Sequence, residues 1–164
     1  MSAVGRVLLG DGLEVSALGY GGMSLSDVYG PVDDATALAT LTHAVDAGLT
    51  FVDTANIYGA GRSERTIARL LATRRDEITV ATKFGISGGA IGSRGIRGDA
   101  AYVREQIDQS LSRLGTDHVD LFLIHWPLPT LYGGDFVQTW RTLEEFYRDG
   151  RARSIGVSNF TPQH

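Results

Sequence analysis

No cysteine occurs among the 164 residues, and that absence excludes disulfide frameworks, thiolate metal sites and thiol nucleophiles together. Long apolar runs are missing as well. No stretch approaches the roughly 18 apolar residues a membrane-spanning helix needs, and the N-terminal MSAVGRVLLGDGLEV lacks the apolar centre of a secretion signal. A cytoplasmic protein with no membrane partner is the expectation. Asn159-Phe160-Thr161 matches the N-glycosylation pattern, and without a secretion signal it reads as a chance match. Neither sign of charge dominates: 15 Lys and Arg stand against 19 Asp and Glu, scattered along the chain. No nucleic-acid stripe and no acidic interaction arm is therefore expected. The histidines, His43, His118, His125 and His164, are too far apart for a local metal-binding pair, and no metal is expected.

What is present is the composition of one soluble globular domain, 43% apolar and 21% charged. Two short apolar runs, Val7 to Leu9 and Leu13 to Val15, flank Gly10-Asp11-Gly12 and read as a hairpin. Strands and helices then alternate. SALGYGG runs from a strand into a glycine loop. Asp33 or Asp34 can cap a helix whose Leu38, Leu41 and Val45 share a face before Gly48. LTFVD is the next strand, residues 62–72 a helix carrying Ile67, Leu70 and Leu71, and ITVATK a third strand. After the glycine-rich FGISGGAIGSRGIRG, Asp99 can cap a helix with Val103, Ile107, Leu111 and Leu114 inside and Gly115 at its end. HVDLFLIH is a fourth strand. Phe136, Trp140, Leu143 and Tyr147 mark a fourth helix stopped by Gly150, and ARSIGVS is a fifth strand.

Strands separated by helices argue for a parallel sheet, and the apolar runs suit strands covered on both faces. Two parallel architectures compete. Gly59-Ala60-Gly61 follows a strand as a dinucleotide-binding fingerprint would, but Glu64 stands where the third glycine belongs. About 20 residues on, where the ribose acid of that fold belongs, the next strand ends in Lys83 instead. A (β/α)8 barrel explains more, because its site is built at the C-terminal ends of the strands. Asp53 ends the second strand, Lys83 the third, His125 the fourth and Ser158-Asn159 the fifth, with Tyr58 in the loop after Asp53.

These residue types together suggest proton transfer. A phenol of pKa near 10 is a poor donor at neutral pH. An ammonium about 4 Å away, at an effective dielectric of about 20, interacts with a phenolate by roughly 4 kcal/mol and would lower that pKa by about three units. Lys83 is expected to act so on Tyr58, Asp53 to hold Lys83 charged, and a neutral His125 to orient a substrate oxygen. The competing account is a buried Asp53–Lys83 ion pair with Tyr58 packed nearby and no chemistry.

The motifs GYGGMS at 19–24, GLTFVDTANIYGAGRSE at 48–64, ATKFG at 81–85, SLSRLGTDHVDLFLIHWP at 110–127 and IGVSNF at 155–160 resemble the aldo-keto reductases, in that family's order and over nearly the whole chain. The resemblance implies a catalytic tetrad of Asp53, Tyr58, Lys83 and His125, with Tyr58 donating the proton in NAD(P)H-dependent reduction of aldehydes or ketones to alcohols. It implies that Ser158 and Asn159 bind the nicotinamide carboxamide, with Gly22, Met23 and Asp53 also beside the cofactor. Trp126 is similar to a wall of the substrate pocket, and Tyr29 and the loop at 85–98 could line the same entrance. Arg94 and Arg97 read as solvated loop charges.

A (β/α)8 barrel takes about 250 residues, so the expected fold is the N-terminal portion of such a barrel. About five strands and four helices follow a short β-hairpin, residues 1–164 form one partial domain, and the C-terminal part is absent. Family members carry most contacts to the adenosine and its 2′-phosphate on that missing part. NADPH is therefore the expected cofactor with NADH left open. Open strand edges suggest self-association, a disordered C-terminus or completion by a second fragment. A non-catalytic cofactor-binding or regulatory module, like the auxiliary subunits some family members form on ion channels, is the alternative reading.

Overall fold

The computed structural model describes residues 4–10, 12–87, 95–127 and 137–164. Strands β1 (Arg6–Leu9) and β2 (Leu13–Ser16) form the antiparallel hairpin expected from the glycine turn. Its second strand docks onto the rest of the chain through Ser16, whose hydroxyl oxygen accepts a hydrogen bond from the Phe51 N–H at 3.0 Å.

From residue 19 the chain alternates. Strands β3 (Gly19–Gly21), β4 (Phe51–Asp53) and β5 (Thr79–Phe84) are separated by helices α1 (Asp34–Asp46) and α2 (Arg62–Arg74). A two-residue pair, β6 (Ile86–Ser87) and β7 (Gly95–Ile96), lies in the glycine-rich loop. Helix α3 (Ala100–Leu114), strand β8 (Leu121–Ile124), helix α4 (Val137–Asp149) and strand β9 (Ile155–Val157) complete the order. The five longer-range strands pair in parallel in the sequence β3-β4-β5-β8-β9. Such pairing requires the helical crossovers that the alternation announced.

Helix α1 packs on α2, α2 on α3 and α3 on α4. Successive helices touching one another lie in one layer on one face of the sheet. A doubly wound sheet would divide them between two faces, so the arrangement is a section of barrel wall. Local signals start and stop the helices as their chemistry requires. The Asp33 carboxylate accepts from the Thr36 N–H at 2.9 Å and the Asp99 carboxylate from the Tyr102 N–H at 3.0 Å. Gly115, at φ 65°, ends α3 in the left-handed conformation that glycine adopts without a Cβ clash.

The core fills the space between sheet and helices. Phe84 and Phe122 stack with ring centroids 4.9 Å apart, and Phe146 of α4 meets Phe122 edge-on at 6.0 Å. Each fully buried side chain of this size contributes about 2–3 kcal/mol. Glu64, in the place that excluded a dinucleotide fingerprint, is fully buried here. Its carboxylate accepts from Thr82 Oγ1 at 2.7 Å and pairs with the Arg113 guanidinium, joining α2, β5 and α3.

Three features differ from the sequence expectation. The strands are covered on one face more fully than on the other. In β8, Phe122 and Ile124 are buried against the helices, whereas Leu121 and Leu123 on the concave face are only half-buried. A groove of about 760 Å³ lies there between the hairpin and the β8–β9 edge. Helix α4 is rotated by about one position: it buries Thr139, Thr142, Leu143 and Phe146, and Tyr147 faces solvent. Threonine is tolerated inside because its hydroxyl is satisfied; Thr139 Oγ1 donates to the Gly98 carbonyl at 2.8 Å. Phe136 lies outside the described residues. Finally, the segment after β3 forms two 3-10 turns, Gly22–Leu25 and Asp27–Tyr29, that the sequence reading did not anticipate. Among the described residues no helix is long and apolar enough to cross a membrane.

Candidate active site

The site lies where β4, β5, β8 and β9 end. Lys83, the fifth residue of β5, is 5% exposed. Its Nζ donates to Asp53 Oδ2 at 2.6 Å and to the Thr54 carbonyl at 2.8 Å. Asp53 and Lys83 thus form the ion pair expected from two neighbouring strand ends, and Asp53, with its side chain 38% exposed, is the partner that reaches water.

Tyr58 enters from the loop after β4. The chain turns through Gly59, Ala60 and Gly61, all at positive φ (58°, 50° and 81°), before α2 begins. Glycine takes this conformation readily, and Ala60 holds it at a cost of about 1–2 kcal/mol. The tight reversal leaves the Tyr58 ring half-buried with the Lys83 ammonium 5.3 Å from its centroid. His125, 6% exposed, meets the same ring edge-on at 5.8 Å. Asp53, Tyr58, Lys83 and His125 are therefore one cluster.

The electrostatics correct one expectation. Burial raises the Tyr58 pKa above its ordinary value, and the charges of Asp53 and Tyr29 push in the same direction. The ammonium does not outweigh them, because Lys83 lies over the ring and is largely neutralised by a carboxylate 2.6 Å away. Tyr58 consequently remains a phenol over the physiological range. For His125 the expectation of a neutral ring agrees with the structure: burial, aided by the Lys83 charge, pushes its pKa down to about 4. Its Nδ1 is buried and has no hydrogen-bond partner among the described residues.

The remaining candidates divide. The Ser158 N–H donates to the Ile124 carbonyl at 2.8 Å, and Asn159, at φ 61°, donates its amide to the His125 carbonyl at 2.8 Å and to Ser158 Oγ at 3.0 Å. The end of β9 is thereby tied to the histidine. Gly22 is buried against Asp53 and α2, where a Cβ would lie 2.8 Å from Ser63 Oγ and 3.0 Å from the Asp53 carbonyl; Met23 beside it is half-buried. Tyr29 is 73% exposed, and Trp126 is 46% exposed immediately after His125. Arg97 is held by Asp99 at 2.9 Å and lies over the Tyr102 ring, and Arg94 is outside the described residues.

The barrel-wall topology is shared with known proteins. The sequence model of the Aldo/keto reductase family matches residues 17–164. The chain belongs to that family. Among its curated relatives are aldo-keto reductase YhdN of Bacillus subtilis, 34% identical over 92% of this chain and 45% of the relative, and aldo-keto reductase yakc (NADP(+)) of Schizosaccharomyces pombe, 36% identical over 88% and 42%. The solved structure of aldo-keto reductase AKR11C1 from Bacillus halodurans in its holo form superposes with TM-score 0.85 and 30% identity over 97% of this chain and 51% of that one. This family member spans about half the length of the relatives it matches.

Some contributors were not singled out from the sequence. The Thr54 carbonyl receives the second Lys83 hydrogen bond, and the Thr54 hydroxyl is 2.7 Å from that of fully buried Ser63, which donates to the Gly22 carbonyl at 2.8 Å. Asn56 donates to Gln106 Oε1 at 2.7 Å and leaves its own Oδ1 buried without a partner among the described residues. A serine in the first turn of a helix reads as a capping residue in sequence, so nothing marked Ser63 as a link between two strand ends.

Proposed function

We propose that residues 1–164 form the first part of an aldo-keto reductase barrel, and that the completed barrel reduces aldehydes or ketones to alcohols with NADPH in the cytoplasm. The observation that carries this reading is the convergence of a buried ammonium, a protonated phenol and a neutral imidazole around one point at the strand ends. The choice of NADPH is supported by the NADP(+) in the name of the fission-yeast relative.

The chain offers the right chemistry for the carboxamide end of a nicotinamide: a hydroxyl and an amide, Ser158 and Asn159, held together beside His125. When bound, the reduced nicotinamide supplies hydride to the carbonyl carbon. Tyr58 supplies the proton. Its O–H bond breaks as the substrate oxygen accumulates charge, and a phenol whose pKa burial has raised still donates downhill to an alkoxide. Lys83 lies next to the phenolate left behind and stabilises it, with Asp53 and the Thr54 carbonyl fixing the ammonium. His125 stays neutral above about pH 4 and can donate to the substrate oxygen without competing as an acid.

By itself the 164-residue chain is expected to bind NADPH weakly and to turn over little. Each charged contact to the 2′-phosphate that the rest of the barrel would supply is worth roughly 1.5–3 kcal/mol. Strands β3 and β9 form the two ends of the sheet order, and through these open edges the isolated chain is expected to self-associate. Calorimetric titration with NADPH, light scattering and NADPH oxidation with benzaldehyde test the reading on both the chain and the full-length protein. Turnover by the full-length protein supports it. Tight NADPH binding by a full-length protein that oxidises none favours a binding or regulatory module.

A further inference from the structure

Arg62 opens α2, where a cation is unfavourable because the helix N-terminus carries partial positive charge. Its surroundings explain it. Nη1 donates to Asp27 Oδ1 at 2.8 Å, Nη2 and Nε donate to Asp34 Oδ1 at 2.7 and 3.1 Å, and Nη2 also donates to the Val32 carbonyl. Asp27 Oδ1 in turn accepts from the Val32 N–H at 3.3 Å. One guanidinium therefore gathers both ends of the segment between the second 3-10 turn and α1.

That segment carries Val28 and Tyr29, both exposed, at 57% and 73%. Among the described residues the Tyr29 phenol makes no hydrogen bond, so the ring's position depends on how the segment is anchored. Its phenol is close enough to Tyr58 for charge on it to act on the Tyr58 hydroxyl. The two loops also touch: a Cβ on Gly59, the residue after Tyr58, would lie 3.0 Å from Ser26 Cβ. A single exposed ion pair contributes little, but a fork binding two carboxylates and a carbonyl fixes geometry.

We infer that Arg62 is a substrate-positioning residue: it clamps the 27–34 segment so that Val28 and Tyr29 form an apolar wall at the mouth of the Tyr58 site, selecting carbonyl substrates with a bulky apolar or aromatic substituent. The inference rests on the reductase reading and adds the substrate class. In the full-length protein, Arg62→Ala raises KM for benzaldehyde about five- to tenfold with kcat changed by less than about twofold, and has a smaller effect on propanal. Tyr29→Ala does the same, and the double variant is no worse than either single one, because both remove one wall. Hydrogen exchange over residues 27–33 accelerates in Arg62→Ala. Arg62→Lys, which keeps the charge without the fork, restores little of either effect.

Unchanged exchange, equal effects on the two aldehydes, or additive effects of the two substitutions overturn the inference. Should Arg62→Ala not fold, Asp27→Asn removes one arm at an exposed carboxylate and carries the same readouts. A wild-type protein with no carbonyl turnover overturns the reductase reading, and the substrate role with it. The exchange comparison then decides the clamp independently.

Discussion

Both ends of the parallel sheet hold a buried ion pair, and they differ in how completely its atoms are satisfied. At the N-terminal ends, Asp120 Oδ2 accepts from Arg75 Nη2 at 3.0 Å and from the Val80 N–H at 2.8 Å, while Oδ1 accepts from Arg153 Nη1 at 3.0 Å. Three donors from three elements enclose one carboxylate. At the C-terminal ends, Lys83 holds Asp53 and the Thr54 carbonyl, Asp53 reaches water, and His125 Nδ1 has no partner among the described residues. A saturated network has nothing left to offer a ligand and serves stability, whereas an unsaturated one retains unmet hydrogen-bonding capacity that a substrate can use.

The largest expected break of this contrast is Tyr58→Phe in the full-length protein. Removing one hydroxyl should lower kcat/KM by about 10²–10⁴-fold. Its urea midpoint and NADPH affinity should stay close to wild type, and near-parental turnover would exclude the phenol as the proton donor. At the other end Asp120→Ala should do the reverse. Stability falls by about 3 kcal/mol, the low end for a broken buried pair because Arg153 reaches solvent. Denaturant titration measures it, and an unchanged midpoint would remove the distinction between the two ends.

Two substitutions within the ion pair are expected to shift the basic limb of the pH–rate profile in opposite directions. Lys83→Met leaves the Asp53 charge unopposed and raises the Tyr58 pKa further, so the limb moves up while turnover falls. Asp53→Asn removes a charge that raises that pKa, so the limb moves down. Simple proximity to Lys83 predicts the same direction for both. Opposite shifts therefore separate the structural account from it.

The smallest effect is on stability against pH. The His125 pKa falls from 6.5 in the unfolded chain to about 4 in the fold, so the unfolded chain takes up the proton first. Stability is complete above about pH 6.5 and declines as pH drops toward 4. Melting temperatures across this window should fall less for His125→Gln than for wild type. Parallel curves would mean that the ring is less buried than the structure has it.

Local signals were readable wherever one short segment decides. Asp33 and Asp99 cap their helices because an acid three residues before an orphan N–H binds it. That Asp53, Lys83 and His125 lie close together was readable too, since an apolar strand ending in an ionisable residue occurs three times and parallel pairing aligns those ends. Where two segments had to meet, the reading faltered. The buried face of α4 depends on which of its sides meets Gly98 and α3, and Thr139 and Thr142 displaced the aromatic stripe that periodicity favoured. The direction of the Tyr58 shift depends on where Lys83 points and what neutralises it.

Sequence alone determined the alternation of strands and helices, the barrel type and the identity of the four strand-end residues, because apolar periodicity, caps and glycine stops are properties of contiguous residues. Tertiary structure alone decided that Ser63 joins Gly22 to Thr54, that Arg62 gathers the 27–34 segment, and that burial rather than a cation governs the phenol. Hydrogen bonds between residues of different elements, and the desolvation of one hydroxyl, are set by the packing of several elements at once, and no single segment of the chain encodes them.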